Sequence, residues 1–356
     1  MQQLLPEWHS QEAIILTWPD AQTDWQPWLE EVRLTYLSII AALNNNNTPV
    51  ILLVRPSEIN QCQQRLSSLS NTSNITSVLL IAADINDTWV RDYGFLTCAL
   101  ENQLRTVNFT FNGWGNKFNA ELDNQINQQI FSNLVAHPMQ TFDFVLEGGA
   151  LEINEAGHLL TTQLCLANPE RNGVFDSAQN RQQLQQALGA KQITILEHGH
   201  LEGDDTDGHI DTLVRFAPNN TLVIQSCANR PDDSHYQSLS ALVAECRAAF
   251  PTYKLIELPL VAMYSKEGER LPASYANYLI NNNQILFPVY GEPEDPHALA
   301  QIQLAYPNMN IVAINCRPLV QQFGSLHCIS MQVPTGTLKP NVIAQANSGV
   351  NIYVAS

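Results

Sequence analysis

Apolar and polar positions along the chain form a motif that recurs four times. Two short apolar runs flank a polar turn in residues 94–111, 149–166, 209–226 and 275–290. The turns fall near 101–102, 154–157, 218–220 and 281–283 and contain Asn, Gly or Pro, which tolerate or pre-set tight backbone angles. Each segment is therefore predicted to form a β-hairpin.

The stretches between the hairpins have the pattern of a helix followed by another strand. Residues 25–43 carry apolar side chains at intervals of three and four, typical of an amphipathic helix, and weaker candidates cover 123–134, 179–188, 236–248 and 295–304. Apolar runs follow at 50–54, 193–196, 255–258 and 311–314. With a first strand at 13–18 and a last apolar stretch from His327 onwards, the pattern predicts five similar α/β modules.

The repeat favours one α/β domain over residues 1–356, because no Gly/Ser-rich linker divides the chain. Any α/β protein alternates strands and helices, so the repeat alone leaves a plain α/β fold open. Four reactive side chains lie within two residues of a module start: Asp92, Glu147, His209 and Cys328. Modules stacked around an axis bring equivalent positions to one rim, so we expect these side chains to converge.

Composition limits the classes of partner that this protein is expected to bind. The 17 basic and 34 acidic residues give a formal charge of −17, which repels nucleic acid and attracts small cations. No apolar stretch approaches the roughly 20 residues that span a bilayer, and the first residues lack the basic start of a signal peptide, so no membrane contact is expected. Seven scattered cysteines without a Cys-x-x-Cys pair fit neither a disulfide scaffold nor a zinc ribbon, and they indicate a reducing cytoplasm.

Residues 205–211, Asp-Thr-Asp-Gly-His-Ile-Asp, form the most acidic motif. On a strand, His209 and Asp211 would share one face. A calcium loop of the EF-hand type is excluded, because the frame around Gly208 puts Gly203 and Val214 at ligand positions. A zinc hydrolase site remains open if His198 and His200 join His209 and Asp211, although exposed loop histidines explain the spacing as well.

Cys328 follows Gly324-Ser325-Leu326-His327 and precedes an apolar run, which suits a nucleophile presented at the start of a strand. His327 would alternate to the opposite face, so His209 is the better acid–base partner. Three nearby carboxylates would raise the pKa of the thiol in an empty site. A cationic substrate would offset the charge of these carboxylates. A planar guanidinium, which donates two hydrogen bonds to one carboxylate, fits best.

The ordered motifs resemble the agmatine deiminase family, which is related to bacterial peptidyl-arginine deiminases within the guanidino-group-modifying superfamily. The segments that carry the resemblance span nearly the whole chain: 89–94 (Trp-Val-Arg-Asp-Tyr-Gly), 111–115, 146–149, 160–162, 168–172, 205–211, 274–277 and 324–328. The cysteine segment reads Gly-Ser-Leu-His-Cys where many members have Gly-Asn-Ile-His-Cys. The resemblance implies a five-bladed α/β propeller of ββαβ modules with pseudo-fivefold symmetry.

The resemblance also implies catalytic roles. Cys328 would attack the guanidinium carbon, His209 would act as acid and then base, and Glu147 would orient His209. Agmatine would yield N-carbamoylputrescine and ammonia through an amidino-cysteine intermediate. No metal or organic cofactor would be needed. Family members often form dimers or larger assemblies, so a homo-oligomer is compatible with the resemblance.

The implied substrate contacts lie on other modules. Asp92 and Asp211 would clamp the guanidinium, Trp89 would flank it, and Asn277 would contact it from the fourth module. Asp205, or its neighbour Asp204, would receive the amine tail, unless this loop is simply solvated. Three alternatives stay open: a deiminase of free or peptidyl arginine, a zinc hydrolase, and a propeller that only binds a partner.

Overall fold

The computed structural model describes residues 2–101 and 103–355, and for residues 70–72 it describes the backbone only. Its strands are β1 (Gln2–Leu4), β2 (Gln11–Thr17), β3 (Val50–Val54), β4 (Val78–Ala82), β5 (Leu96–Leu100), β6 (Gln103–Thr110), β7 (Gln140–Val145), β8 (Glu152–Ile153), β9 (His158–Thr162), β10 (Gln192–Leu196), β11 (Val214–Ala217), β12 (Thr221–Gln225), β13 (Lys254–Leu258), β14 (Met263–Tyr264), β15 (Arg270–Leu271), β16 (Leu279–Asn281), β17 (Gln284–Val289), β18 (Asn310–Asn315), β19 (Ser330–Pro334) and β20 (Val350–Ile352).

The helices are α1 (Leu29–Asn45), α2 (Ile59–Ser73), α3 (Val90–Tyr93), α4 (Gly113–Asn116), α5 (Ile126–Gln129), α6 (Gln163–Leu166), α7 (Pro169–Asn172), α8 (Ser177–Leu188), α9 (Tyr236–Ala249), α10 (Asp295–Ala305) and α11 (Pro340–Ala346). Short 3₁₀ turns occupy Gln26–Trp28, Asp123–Gln125, Phe131–Asn133, Gly148–Ala150, Ile210–Thr212 and Leu319–Gln322.

Five sheets of the described chain share one topology. In each of them an antiparallel pair is followed, across a connection, by a strand parallel to the second member. The pairs and their third strands are β5–β6 with β7, β8–β9 with β10, β11–β12 with β13, β16–β17 with β18, and β19–β2 with β3. The connections in the last four contain α8, α9, α10 and α1, respectively. The four predicted hairpins and the mixed α/β fold are therefore confirmed, although Asn102 of the first turn lies outside the described residues.

The fifth sheet joins the two ends of the chain. Its strand order is β19-β2-β3-β4-β20, so the predicted first strand and the stretch after His327 become neighbours. β3 is buried along its whole length between helices, which explains its unbroken Val-Ile-Leu-Leu-Val run. The apolar stripe of α1, with Val32, Tyr36 and Ile39 among its members, is also buried, as its periodicity predicts.

Two local predictions are wrong. Residues 123–134 form three short helical turns rather than one helix. The carboxylate of Asp123 accepts hydrogen bonds from the backbone N–H groups of Asn86 and Asp87, and these bonds hold Asp123 against the loop that contains them. His209 and Asp211 lie at a 3₁₀ turn, and β11 starts only at Val214. The side chains of His209 and Asp211 lie close together because the turn folds back, and not because they share one face of a strand.

No described helix has the length and apolar character needed to cross a bilayer. All seven cysteines are buried free thiols.

Candidate active site

The segments that lead into the five sheets supply the predicted site. Asp92 lies in α3 just before β5, Glu147 precedes the 3₁₀ turn before β8, and His209 and Asp211 flank the turn before β11. Asn277 and Cys328 lie in the turns before β16 and β19. The prediction that reactive residues occupy equivalent places in the modules thus agrees with the topology.

Gly149 shows how tightly three of these residues converge. A methyl group on its Cα would lie 2.6 Å from His209 Nδ1, 2.7 Å from Asp92 Oδ1 and 3.1 Å from Asp211 Oδ2. Any side chain here would displace the imidazole or a carboxylate. Glycine is required for this close approach rather than for an unusual backbone angle.

A cavity of about 690 Å³ opens onto this cluster and is strongly acidic. Trp89, His209 and Cys328 line it together with six aspartates: Asp24, Asp87, Asp92, Asp123, Asp204 and Asp205. Among the described residues no lysine or arginine lines it. The cavity therefore favours a small cation.

Asp92 is buried and held by two donors. Its Oδ1 accepts a hydrogen bond of 2.9 Å from Gly149 N–H, and its Oδ2 accepts one of 2.9 Å from the indole Nε1–H of Trp114. The neighbouring Arg91 donates to Gln332 and to the His327 carbonyl rather than to Asp92. Burial raises the pKa of Asp92, and the neighbouring acids add to it, so the carboxyl gains from an arriving cation.

Glu147 is clamped by Arg171. The guanidinium Nε lies 2.8 and 3.1 Å from the two carboxylate oxygens, and its NH1 donates to Asp207 at 2.7 Å. Both members of the pair are almost fully buried. Burial would raise the pKa of Glu147, but His209 and Arg171 offset it and lower that pKa, so Glu147 stays ionised.

His209 is 1% exposed and lies between two carboxylates. Its Nδ1 is 3.6 Å from Asp92 Oδ1 and its Nε2 is 3.8 Å from Glu147 Oε2, and neither nitrogen has a hydrogen-bond partner. Burial lowers the pKa of His209, but Asp92 and its other neighbours outweigh burial, and that pKa lies well above the ordinary value. The surrounding carboxylates therefore favour the protonated form of this imidazole.

Asp211 is positioned by a chain of buried groups. His327 Nδ1 lies 2.7 Å from Asp211 Oδ2, and His327 Nε2 lies 2.9 Å from Glu7 Oε2. Arg215 pairs with Glu7 and completes the chain. Asp211 Oδ1 is buried without a partner, so one oxygen is fixed and the other is free for a ligand.

Replacing Glu7 should therefore destabilise the fold. Glu7→Gln removes the carboxylate that Arg215 and His327 share and leaves them only Glu152 and Asp211, so we expect the free energy of unfolding to fall by about 3 kcal/mol at pH 7. Burial raises the pKa of Glu7, but Arg215 and His327 more than offset this and lower it from 4.5. The stability from Glu7 is thus present above pH 4.5 and declines as the pH falls below it.

Urea unfolding at several pH values measures both effects. The exposed control Glu267→Gln should change the free energy of unfolding by less than about 0.5 kcal/mol. An equal loss in both variants, or a Glu7→Gln loss that does not shrink at acid pH, contradicts this role of Glu7.

Cys328 is held by Asn277. The amide Nδ2 lies 3.2 Å from Sγ, and Asn277 Oδ1 accepts from the backbone N–H of His327 at 2.9 Å. Sγ is 3.9 Å from Asp211 Oδ2. Burial raises the pKa of Cys328 well above 9, and repulsion by Asp211 and Asp92 raises it further. The expectation that the empty site keeps the thiol protonated agrees with this geometry.

Two further predicted residues line the cavity. The ring of Trp89 packs so closely on Gly324 that a Cβ there would lie 2.2 Å from it, and Asp87 accepts its indole N–H at 3.1 Å. Asp205 is half-buried, and burial together with Asp204 raises its pKa to about 6. Lys117 contacts the backbone oxygen of Asp205, which leaves the carboxyl facing the cavity without that ion pair.

The zinc set considered from the sequence does not assemble. His198 and His200 are exposed, and His198 Nδ1 lies 3.0 Å from Glu245 Oε2, whereas His209 and Asp211 are buried. Their i, i+2 spacing reflects a polar loop.

Sequence reasoning missed the residues that support the site. Trp114 and Arg171 lie within the quoted motifs 111–115 and 168–172, which was the available signal, but no role was assigned to them. Glu7 carries no local signal, because its partners His327 and Arg215 are distant in the chain.

Comparison with known proteins places this geometry in a family. The family model described as Porphyromonas-type peptidyl-arginine deiminase matches residues 3–334. The chain belongs to this deiminase family. The family's name denotes enzymes that act on a guanidino C–N bond, and the resemblance drawn from the motifs is confirmed at this level.

Relatives of the Porphyromonas-type deiminase family carry two kinds of name. A Vibrio parahaemolyticus protein provisionally named agmatine deiminase is 31% identical over 92% of this chain and 95% of its own. The solved C. jejuni agmatine deiminase is 34% identical, with a TM-score of 0.84 over 95% of this chain and 97% of its own. A Porphyromonas gingivalis structure provisionally named arginine deiminase is 36% identical, with a TM-score of 0.85 over 95% of this chain and 100% of its own.

Proposed function

We propose that the protein is an agmatine deiminase, which hydrolyses agmatine to N-carbamoylputrescine and ammonia. The observation that carries the proposal is the union of one thiol, one imidazole and three buried carboxylates at an acidic cavity without a lysine or arginine among its described lining residues. Relatives named for the same activity cover nearly the whole chain.

The charge of the cavity selects the substrate. Agmatine carries a guanidinium and an amine, so both ends are positive, and the aspartates around the cavity favour both. Free arginine carries a carboxylate next to its amine, which these aspartates repel. The arginine-directed names in the family keep arginine and peptidyl arginine as the second candidates.

The substrate guanidinium would lie between Asp92 and Asp211, whose free oxygen accepts its N–H groups. The flat face of Trp89 lines the same cavity and would flank the cation. The cation lowers the pKa of the Cys328 thiol, whose proton passes to solvent water, and the resulting thiolate attacks the guanidinium carbon. A C–S bond forms, and the tetrahedral species remains held by the two carboxylates.

His209 would then give its proton to the departing nitrogen, so ammonia leaves and an amidino-cysteine remains. A water attacks the same carbon while His209 takes a proton back, and the C–S bond breaks to release the carbamoyl product. Glu147, fixed by Arg171, would keep His209 charged and oriented. Asn277 would hold the thiol in place.

The five sheets of equal topology would form a single-domain, five-bladed α/β propeller around this site. Support comes from the positions of the site residues. In four of the five sheets an acid, an imidazole or the thiol lies just before the first strand of the hairpin, and in the fifth, which contains β16, Asn277 has that position. The larger of the two apolar clusters includes residues from Leu4 to Ala346, and the second gathers residues between Leu160 and Leu260.

Ammonia release from a panel of substrates tests the assignment. Agmatine should be turned over at a kcat/KM at least about 100-fold above those of free arginine and a blocked peptidyl arginine. A preference for either arginine substrate would transfer the assignment to that class. Release from none of the three would favour the non-catalytic propeller.

Asp205 gives a pH prediction. Its carboxyl, with a pKa of about 6, is neutral below that pH and charged above it, so the KM for agmatine should fall as the pH rises from 5 to 7. Asp205→Asn should remove much of this fall and raise KM at pH 7 about tenfold, with a smaller change in kcat. Glu197→Gln, an exposed charge change outside the cavity, is the matched control. An unchanged KM profile in Asp205→Asn would remove this residue from the amine subsite.

A further inference from the structure

Cys165 is a buried thiol that the proposed reaction does not use. It lies in α6, where the Thr162 hydroxyl accepts its backbone N–H at 3.3 Å and fixes the turn. Only 1% of it is exposed, and its Sγ lies 3.9 Å from Glu147 Oε2. The sulfur therefore lies beside the carboxylate that faces His209.

Cys165, Glu147 and His209 form a compact set of three donor atoms. The atoms lie within 4.8 Å of one another, and within the described chain no other group of His, Cys, Asp and Glu gathers in this way. A tetrahedral zinc with bonds of about 2.0 Å to N and O and 2.3 Å to S separates its ligand atoms by roughly 3.3–3.5 Å. Two of the three separations are 3.8 and 3.9 Å and need to shorten by only a few tenths of an ångström, and the third pair lies within 4.8 Å.

The imidazole supplies an independent sign of a ligand. His209 Nε2 is buried, lacks a hydrogen-bond partner and faces Glu147 at 3.8 Å. The other nitrogen lies 3.6 Å from Asp92 Oδ1, which is too long for a hydrogen bond but places a carboxylate beside the imidazole that would bind the metal. Arg171 fixes the carboxylate of Glu147, and although its charge opposes a cation, Asp92, Glu147 and Asp211 outnumber it.

We propose that Cys165, Glu147 and His209 form an inhibitory site for a soft divalent cation such as Zn²⁺. The acidic cavity attracts the ion, and His209, the one proposed ligand among its described lining residues, is the group that the ion meets first. The metal binds the neutral Nε2, a Glu147 oxygen and the Cys165 sulfur, and the thiol and imidazole protons leave to water without a redox change. Inhibition rests on the proposed function, because the bound imidazole can no longer protonate the leaving ammonia.

Cobalt substitution tests the site without any substrate. The full chain, titrated with Co²⁺, should show one thiolate-to-cobalt charge-transfer band with the d–d intensity of a tetrahedral site. Cys328→Ser should keep this band, and Cys165→Ser should lose it. Zn²⁺ should displace the cobalt, and its affinity should fall at least about 100-fold in Cys165→Ser.

The pair of cysteine variants decides the outcome. A band that persists in Cys165→Ser but disappears in Cys328→Ser would place the metal on the nucleophile and overturn the proposal, as would no thiolate band in the unaltered chain. If Cys165→Ser does not fold by circular dichroism, His209→Gln replaces it, with the same expected loss of zinc affinity.

Measurements of turnover test whether the bound metal inhibits the enzyme. The zinc concentration that halves the rate should rise at least about 100-fold in Cys165→Ser relative to the unaltered enzyme, each compared with its own metal-free rate. An unchanged value contradicts inhibition at Cys165. Failure of every guanidine substrate would reject the proposed function while leaving the cobalt result to judge the metal site.

Discussion

Cys328→Ala should abolish ammonia release from agmatine while the protein stays folded. Without the sulfur no C–S bond forms, and water has no equivalent path to a resonance-stabilised guanidinium, so kcat should fall by a factor on the order of 10⁴ or more. Steady-state ammonia assays together with circular dichroism measure both parts. Cys246→Ala, which removes another buried thiol in α9, should keep most of the activity.

The chemistry of the thiol offers a second measurement. Burial and the carboxylates Asp211 and Asp92 raise the pKa of Cys328, so a neutral alkylating reagent should react slowly in the empty site. A reagent of similar size that carries an amidinium should label Cys328 faster than the other six cysteines, because it brings its own counter-charge. Residual turnover in Cys328→Ala, or equal labelling of all seven cysteines, would rule out nucleophilic catalysis by this residue.

Asp92→Asn should lower kcat/KM for agmatine by about 10³-fold, since it removes one charge of the guanidinium clamp. The asparagine also cannot accept from both Gly149 and Trp114. The same variant should react faster with a neutral alkylating reagent, because a charge that raises the pKa of Cys328 is gone. Turnover and alkylation are thus expected to move in opposite directions.

Asp123→Asn is the matched control for this variant. Asp123 lines the same cavity, and burial raises its pKa to about 8, so at pH 7 its replacement removes little charge. A loss of turnover comparable with that of Asp92→Asn would falsify the clamp and indicate that losing a buried carboxylate acceptor disturbs the site. Slower alkylation in Asp92→Asn would point to a distorted site.

Much of the fold could be predicted because each repeat has a local pattern of apolar and polar residues. The hairpins follow from apolar runs around Asn-, Gly- and Pro-containing turns, and the buried strand β3 follows from an unbroken aliphatic run. The helix predicted at 123–134 failed because an apolar period cannot show that Asp123 is committed to two backbone donors. A side-chain bond to a distant turn outweighs a weak helical preference.

The candidate site could be predicted as a set of residues but not as a set of contacts. The motifs around Asp92, Glu147, His209 and Cys328 indicated a guanidinium site, and the structure brings all four to one cavity or its buried wall. The prediction that His327 alternates away from Cys328, and so leaves the acid–base role to His209, gives no indication of the contacts that His327 makes. Its ring links Asp211 to Glu7, a residue more than 300 positions earlier in the chain.

The pairing of β2 with β19 has a consequence for how the molecule is made. Ser330 lies opposite Leu16, so the sheet that the first strands begin can be finished only when nearly the whole polypeptide has left the ribosome. Contacts between such remote parts of a chain slow folding. Cys328 arrives with the late strand, so a truncated translation product would hold the acids and the imidazole of the candidate site yet lack its proposed nucleophile.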